Sequence, residues 1–247
     1  MASFEFFGVG RVVFGRGTFI RVGELAAAHG RSAVVIYNGS GQVERLVDLL
    51  RSAGVSSIVR RQRGEPVVAD VDAATDEARR AGCDLAIGLG GGSAIDAAKA
   101  VAGLLANGGS AVDYLEVVGK GQKITRPAPP WIAIPTTAGT GAEATRNAVI
   151  GLPEKQFKAS IRSELLLPRI AMVDPELGVD VPPEVTARSG MDALCQLIES
   201  YASTGANPIT DALAVQGIGL AARSMRRAFQ NGRDLDARED MALAALL

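Results

Sequence analysis

The stretch Asp84-Leu85-Ala86-Ile87-Gly88-Leu89-Gly90-Gly91-Gly92-Ser93 decides the fold class of this chain. Its apolar part has the length of a strand and runs directly into three consecutive glycines. A short apolar run that ends in turn residues is typical of a strand buried on both faces of a parallel sheet. A helical pattern follows from Ala94 to about Ala106. The stretch therefore predicts a strand, a glycine-rich turn and a crossover helix.

The same alternation of strands and helices extends outward over the first 175 residues and ends near Pro182. Before that point the patterns predict a turn at 38–41, strands at 11–14, 33–37, 57–59, 84–89, 131–134 and 170–173, and helices at 18–30, 42–53, 70–81 and 94–106. After it they predict only helices, at 183–203, 208–231 and 236–247. We therefore expect an α/β fold, with a parallel-sheet domain over residues 1–181 and an all-α domain over residues 182–247. Because the chain stops inside a helical pattern without a stop signal, we expect the all-α domain to be incomplete.

Composition excludes several classes of protein. With 47% hydrophobic and 21% charged residues among 247, the chain is globular rather than disordered. The 26 basic and 27 acidic residues leave a net charge of −1, so we expect no nucleic-acid partner. No apolar run approaches the roughly 18 residues of a membrane span, so we expect no membrane partner. Cys83 and Cys195 are too few for a disulfide framework, and the first residues lack a secretory pattern, which predicts a cytoplasmic location.

Glycines 90–92 indicate that a ligand approaches the backbone closely at this turn. Three glycines remove every Cβ from the turn, and the following helix presents free N–H groups and the positive end of its dipole. A pyrophosphate is the natural occupant of such a site. The alternative is that Ser93 only caps the helix, with Asp96 completing a capping-box-like pair. Three consecutive glycines exceed what a cap requires, and this favours nucleotide binding.

A second loop, Pro135 to Glu143, follows the strand predicted at 131–134. Its three threonines could bind ribose or carboxamide groups; they are Thr136, Thr137 and Thr140. Taken alone, a threonine- and glycine-rich turn after a strand is more often only a loop.

Together the two loops resemble the signatures of one family. Gly90 to Lys99 resembles the G-G-G-S-x-x-D-x-A-K signature of the iron-containing (group III) alcohol dehydrogenase family. Pro135 to Glu143 resembles its P-T-T-x-G-T-G-S-E signature, with Ala142 in place of the serine. Further matching segments follow in the order of the family, at 174–177, 190–194 and 198–201. The resemblance implies a dinucleotide-binding α/β domain followed by an all-helical domain.

What the resemblance implies is an oxidoreductase that transfers a hydride between an alcohol, or its aldehyde or ketone, and NAD or NADP. In the family, Fe²⁺ or Zn²⁺ polarises the oxygen of the small-molecule substrate. The implied catalytic residues are Asp192 and Lys158. The positions implied to bind the cofactor are Asn38, Gly91, Gly92, Ser93, Asp96, Thr136, Thr137, Thr140, Thr145 and Lys158. For Lys158 the alternative is a surface charge. The resemblance also implies a homodimer that pairs through amino-terminal strands.

Asn38 bears on the choice between the two cofactors. Family members that use NAD often carry an aspartate just after the second strand, where it binds the ribose 2′-hydroxyl and repels a 2′-phosphate. This chain has Asn38 there. We therefore expect NADP to be tolerated.

The metal site departs from the family pattern. The family uses an aspartate, a histidine four residues later, and two further histidines. Here Asp192 matches the aspartate, but Gln196 stands at the histidine position, and the only histidine of the chain is His29 in the other domain. Asp192 and Gln196 therefore form a partial metal site at most, or simply a polar face, and we expect metal binding to be weak or absent. Next to them, Cys195 is expected to be a small buried residue of a helix rather than a thiol ligand.

Three alternatives remain for the function. The chain could be a maleylacetate reductase or a glycerol-dehydrogenase-like relative, although glycerol dehydrogenases usually carry lysine where this chain has Ser93. A lyase similar to 3-dehydroquinate synthase would use the same scaffold. Because most of the family's metal ligands are missing, the chain could also be a nucleotide-binding fragment without catalysis.

Overall fold

A six-stranded parallel sheet forms the centre of the structure, a computed structural model that describes residues 3–39 and 41–247. The strands, in chain order, are β1 (Val12–Phe14), β2 (Ser32–Tyr37), β3 (Ser56–Arg61), β4 (Leu85–Gly90), β5 (Trp131–Pro135), β6 (Asn147–Leu152), β7 (Phe157–Arg162) and β8 (Ile170–Val173). Strands β6 and β7 form a separate antiparallel hairpin, and the other six lie in the order β1-β8-β5-β4-β2-β3. Apolar side chains on both faces put β4 and β5 at the middle of the sheet, where all their residues are buried.

The helices are α1 (Val22–Ala27), α2 (Val43–Ser52), α3 (Val68–Arg80), α4 (Gly92–Asn107), α5 (Ala111–Tyr114), α6 (Pro183–Ala202), α7 (Pro208–Gln230) and α8 (Leu235–Leu246). Helices α1 and α2 cover one face of the sheet, where Leu46 and Leu50 pack in one core with Val35 and Ile87. Helices α3 and α4 cover the other face, in a second core that includes Ile95 and residues of the hairpin. The α/β part is therefore a three-layer structure.

The last three helices form a third core and rest against the α/β part. Arg238 of α8 is buried, and its guanidinium donates to Thr186 Oγ1 of α6 at 2.9 Å and to the carbonyl of Val181, at the end of the α/β part, at 3.3 Å. Gly139 lies so close to α6 that a Cβ atom there would be 2.6 Å from Ser189 Cβ. Among the described helices, none is long and apolar enough to cross a membrane.

The predicted fold class is confirmed: a parallel sheet with crossover helices precedes an all-helical stretch. Every strand predicted before residue 182 is present, with ends shifted by a few residues. The predicted helix at 18–30 is instead a 3₁₀ turn at Thr18–Arg21 followed by α1. The hairpin of β6 and β7 was not predicted, and Ser40 of the predicted turn at 38–41 lies outside the described residues. The domain boundary between residues 181 and 182 stays a prediction.

Candidate functional site

A cleft of about 1020 Å³ opens at the carboxyl edge of the sheet, between the ends of the central strands and α6. Parallel strands end at one edge, so the residues after β2, β4 and β5 lie side by side. The backbone N–H of Asn38 donates to the Leu89 carbonyl at 3.1 Å, and that of Thr136 donates to the Gly90 carbonyl at 2.9 Å. Eleven of the predicted site residues line this cleft: Asn38, Gly91, Gly92, Ser93, Asp96, Thr136, Thr137, Thr140, Thr145, Asp192 and Gln196.

Two positions of the glycine loop leave too little room for a Cβ atom unless a neighbouring side chain shifts. Gly90 has a φ of 145°, and a Cβ atom there would lie 2.0 Å from Asn38 Oδ1. At Gly92 a Cβ atom would lie 2.9 Å from the Thr140 side chain. The first N–H groups of α4, at Gly92 and Ser93, have no acceptor within the helix. A bare backbone with free donors at a helix N-terminus fits the pyrophosphate of a dinucleotide.

The capping alternative for Ser93 is wrong. Gly91 is the N-cap of α4 and no side chain caps the helix. The Ser93 hydroxyl instead accepts a hydrogen bond of 2.6 Å from Asn38 Nδ2. Asp96 Oδ2 accepts from the backbone N–H of Val149, in the hairpin, at 3.1 Å. Both polar side chains therefore bind neighbouring elements rather than their own helix.

The threonine loop, residues 136–145, lies between the glycine loop and α6. Thr137 stands against Gly91 and Thr140 against Gly92, while Gly139 contacts α6 through Ser189. The hydroxyl of Thr145 is committed within the protein, since it accepts from Lys99 Nζ at 2.9 Å and donates to the Ala142 carbonyl at 3.2 Å. Thr136, Thr137 and Thr140 also line the cleft and are the candidate ligand contacts, although Thr140 Oγ1 already accepts from the backbone N–H of Ala142 at 3.3 Å.

Two buried charges beneath the cleft were not predicted as functional. Lys99 is completely buried in α4, and burial lowers the pKa of its ammonium to about 8, against the attraction of Asp96. Burial likewise raises the pKa of the Glu143 carboxyl to about 7. Burial also raises the pKa of the Asp96 carboxyl, and the positive charge of Lys99 partly offsets that rise. The sequence does indicate that Lys99 is buried, because it stands in the alanine-rich run Ala97-Ala98-Lys99-Ala100-Val101, in which every neighbour is a core residue.

Lys158 lies outside the cleft. It is exposed on β7, and its Nζ atom pairs with Glu65 Oε2 at 3.2 Å. Glu65 itself lines the cleft. The predicted catalytic and cofactor-binding role of Lys158 therefore stays a prediction.

The residues of the partial metal site lie on one helix. Asp192 and Gln196 are one turn apart on α6, both are exposed, and both line the cleft. Among the described residues there is no group of three His, Cys, Asp or Glu side chains that could hold a metal ion. The residues present therefore do not fit a complete catalytic metal site, which generally takes three protein ligands. Cys195 is exposed, so the expectation that it is buried is wrong.

The electrostatic character of the cleft is mixed. Its carboxylates are Glu65, Asp96, Asp180 and Asp192. Arg188 is the single basic side chain among the described residues that line it. Arg188 lies one turn before Asp192 on α6 and forms an ion pair with Glu184. A bound anion would compete with Glu184 for this guanidinium.

Sequence comparison agrees with the motifs and the geometry. The profile of the iron-containing alcohol dehydrogenases matches residues 10–175, and the profile of the carboxy-terminal part of the same family matches residues 186–247. The chain belongs to the iron-containing alcohol dehydrogenase family. The predicted membership is thereby confirmed.

Relatives of this chain extend beyond the part that it matches. Choline dehydrogenase of Bacillus subtilis is 37% identical, over 100% of this chain and 63% of the relative. The NAD-dependent methanol dehydrogenase of Bacillus methanolicus is also 37% identical, over 94% of this chain and 61% of the relative. The crystal structure of sulfoacetaldehyde reductase from Bifidobacterium kashiwanohense in complex with NAD⁺ superposes with a TM-score of 0.93 at 33% identity, over 100% of this chain and 66% of that one. The chain thus spans less than two thirds of each of these relatives.

Proposed function

We propose that this iron-type alcohol dehydrogenase chain binds NAD or NADP in the cleft and takes part in hydride transfer between an alcohol and its aldehyde or ketone. The observation that carries the proposal is the meeting of the glycine loop and the threonine loop at one edge of the sheet. Both loops carry family signatures, and their bare backbone and hydroxyls face one cleft. Because the relatives are longer, the reaction of the whole protein is part of the proposal.

Different residues of the chain bind different parts of the dinucleotide. The N–H groups that begin α4 and the positive end of its dipole hold the pyrophosphate, and Arg188 adds a positive charge from α6. Asn38, after β2, faces the adenosine ribose without a carboxylate that would repel a 2′-phosphate. When bound, the nicotinamide ring supplies the carbon that accepts the hydride. The threonine loop and the buried Lys99 beneath it shape the wall on that side.

The substrate side of the cleft is formed by α6. We propose that Asp192 contacts the reacting end of the substrate there, and that Lys158 approaches the nicotinamide ribose from the hairpin. No step is assigned to iron or zinc, because the described residues supply only Asp192 and the weak ligand Gln196.

A second candidate is a dinucleotide-binding protein without catalysis. The incomplete metal set is the observation that favours it. A titration with NADH, followed by its fluorescence, and a turnover assay with short alcohols in the presence of Fe²⁺ or Zn²⁺ separate the candidates. Saturable binding with turnover supports the dehydrogenase, and saturable binding without turnover supports the second candidate. Absence of saturation with both NADH and NADPH would overturn both.

We also propose a homodimer, a cytoplasmic location, and a division into domains at residues 181 and 182. Strand β1 is an edge strand of the sheet, and Val12, Phe6 and Phe7 are exposed beside it, which supports pairing between copies. Both cysteines are free, as expected in a reducing compartment. Helix α6 begins just after the proposed boundary. Sedimentation velocity tests the dimer, which a monomer at micromolar concentration would contradict.

A further inference from the structure

Lys99 is tied to one segment of the cleft wall by all of its hydrogen-bond donors. Its ammonium donates to the carbonyl of Ala142 at 2.8 Å, to Thr145 Oγ1 at 2.9 Å and to the carbonyl of Asn147 at 2.7 Å. An ammonium group has three hydrogens, so none is left for another partner. All three acceptors belong to residues that line the cleft.

The segment from Ala142 to Asn147 has little regular structure with which to satisfy its own backbone. Buried carbonyl groups need donors, and Lys99 supplies them for two of these residues. Helix α4 thereby holds the segment through Lys99, which does not itself line the cleft. The lysine itself shows no exposed surface.

Stability alone does not explain a charge at this position. Burying an ammonium costs several kcal/mol, and a well-packed apolar side chain of similar volume often serves as well or better. The nearest carboxylate oxygen, Asp96 Oδ1, is 3.5 Å from Lys99 Nζ, beyond the range of a short ionic hydrogen bond. The charge is therefore better explained by the geometry that it imposes on residues 142–147.

We propose that Lys99 is a positioning residue for the dinucleotide, which fixes residues 142–147 against α4 and so holds one wall of the cleft at the width that the cofactor needs. This inference rests on the proposed function. It concerns a residue beneath the site, which acts through the wall without touching the ligand.

The charged groups around Lys99 decide how the wall responds to pH. Asp96 faces it from its own helix, Glu143 acts on it from the threonine-loop side, and the Trp131 ring of β5 lies 5.9 Å from Nζ. Burial lowers the pKa of the ammonium to about 8. Loss of the proton removes one of three donors, so the wall loosens as pH rises through 8. Cofactor affinity should fall over the same range.

The test compares Lys99→Met with Lys123→Met, which removes an exposed lysine outside the cleft. Dissociation constants for NADH are measured by fluorescence between pH 6.5 and 9.5. For the unmodified chain and for Lys123→Met, we expect affinity to fall several-fold as pH rises through 8. For Lys99→Met we expect at least about tenfold weaker binding at pH 7, equivalent to about 1.4 kcal/mol. We also expect no further fall in affinity between pH 8 and 9.5, above the pKa of about 7 of Glu143. Lys99→Arg keeps the charge at every pH used and should bind at pH 7 without the fall above pH 8.

Hydrogen exchange of the free proteins provides a readout without ligand. Faster exchange of amides 142–149 in Lys99→Met, with unchanged exchange in Lys123→Met, is the expected result. Unchanged affinity in Lys99→Met, or the same fall in affinity above pH 8 in all variants, overturns the inference. If Lys99→Met does not fold, a persistent fall in affinity above pH 8 in Lys99→Arg overturns it. If the unmodified chain binds neither NADH nor NADPH, the proposed function fails, whereas unchanged exchange in Lys99→Met defeats the role of Lys99 alone.

Discussion

The side-chain amide of Asn38, at the end of β2, forms hydrogen bonds with Ser93 and with the backbone of the glycine loop after β4. Asn38 Nδ2 donates to Ser93 Oγ at 2.6 Å, and Asn38 Oδ1 accepts from the backbone N–H of Gly91 at 2.8 Å. One residue thus holds the loop while facing the cleft where the adenosine ribose is proposed to lie. An aspartate could accept hydrogen bonds from the same two groups, so the loop should tolerate that substitution.

Asn38→Asp should shift cofactor preference toward NAD. The unmodified chain should prefer NAD over NADP by less than about tenfold, or about 1.4 kcal/mol. The new carboxylate would repel a 2′-phosphate, so the Kd for NADPH should rise at least about tenfold more than that for NADH. Fluorescence titrations with both cofactors measure this. Asn231→Asp makes the same chemical change outside the cleft and should change neither value. A hundredfold NAD preference in the unmodified chain would contradict the assignment.

Gly91→Val should abolish dinucleotide binding and leave the fold intact. Gly91 has a φ of −76°, which valine adopts, so no backbone strain is expected. Its Cβ position lies 3.3 Å from Thr137 Oγ1, a contact that a small shift relieves. The branched side chain would occupy the space proposed for the pyrophosphate. Titration with NADH and thermal unfolding are the measurements, with Gly219→Val, on the surface of α7, as the matched change. Unchanged affinity at an unchanged Tm would show that this loop does not bind the phosphates.

Glu143→Gln should stabilise the protein at pH 8 but not at pH 4. Burial raises the pKa of this carboxyl to about 7 from an ordinary 4.5. A raised folded-state pKa means that the stability is fully present below pH 4.5 and is lost as pH rises through 7. Glutamine does not ionise, so it avoids this loss, which is on the order of 3 kcal/mol. Urea unfolding at the two pH values measures the difference. Equal effects of the substitution at both would refute the buried ionisation.

Gln196→His should strengthen zinc binding beside Asp192, although two side chains do not complete a three-ligand site. Asp192 and residue 196 share one face of α6, and imidazole is a better zinc ligand than a neutral amide oxygen. After dialysis, metal analysis should find well under one equivalent of zinc or iron in the unmodified chain. Zinc affinity should increase at least about tenfold in the variant. Gln230→His, at the end of α7 and outside the cleft, is the matched control. Stoichiometric metal in the dialysed unmodified chain would show that the ligand count is wrong.

The part of the site that depends on local sequence was predictable. The apolar run of β4 and the glycines after it determine a strand, a turn and a helix within ten residues. The carboxyl edge of a parallel sheet then brings the ends of β2, β4 and β5 together, whatever their separation along the chain. This is why the residues of the two loops that were predicted to bind the cofactor all line one cleft.

The long-range polar contacts were not predictable in the same way. The bond from Asn38 to Ser93 joins residues 55 positions apart and depends on the register of β2 against β4. The lysine at position 99 indicates a buried charge, but its acceptors lie more than 40 positions later. The hairpin was not predicted although β7 alternates apolar and polar residues, Phe-Lys-Ala-Ser-Ile-Arg, over 157–162, which is the pattern of a half-buried strand.

Gly139 and Ser189 bring the threonine loop and α6, two walls of the cleft, into close contact. A Cβ atom on Gly139 would lie 2.6 Å from Ser189 Cβ and 2.9 Å from its Cα, so the threonine loop and α6 already touch at this point. Close-packed atoms resist further approach. Helix α6 therefore cannot move closer to the threonine loop at this point. The contact between Gly139 and Ser189 sets a minimum aperture for the mouth of the cleft, which the protein itself imposes whatever ligand enters.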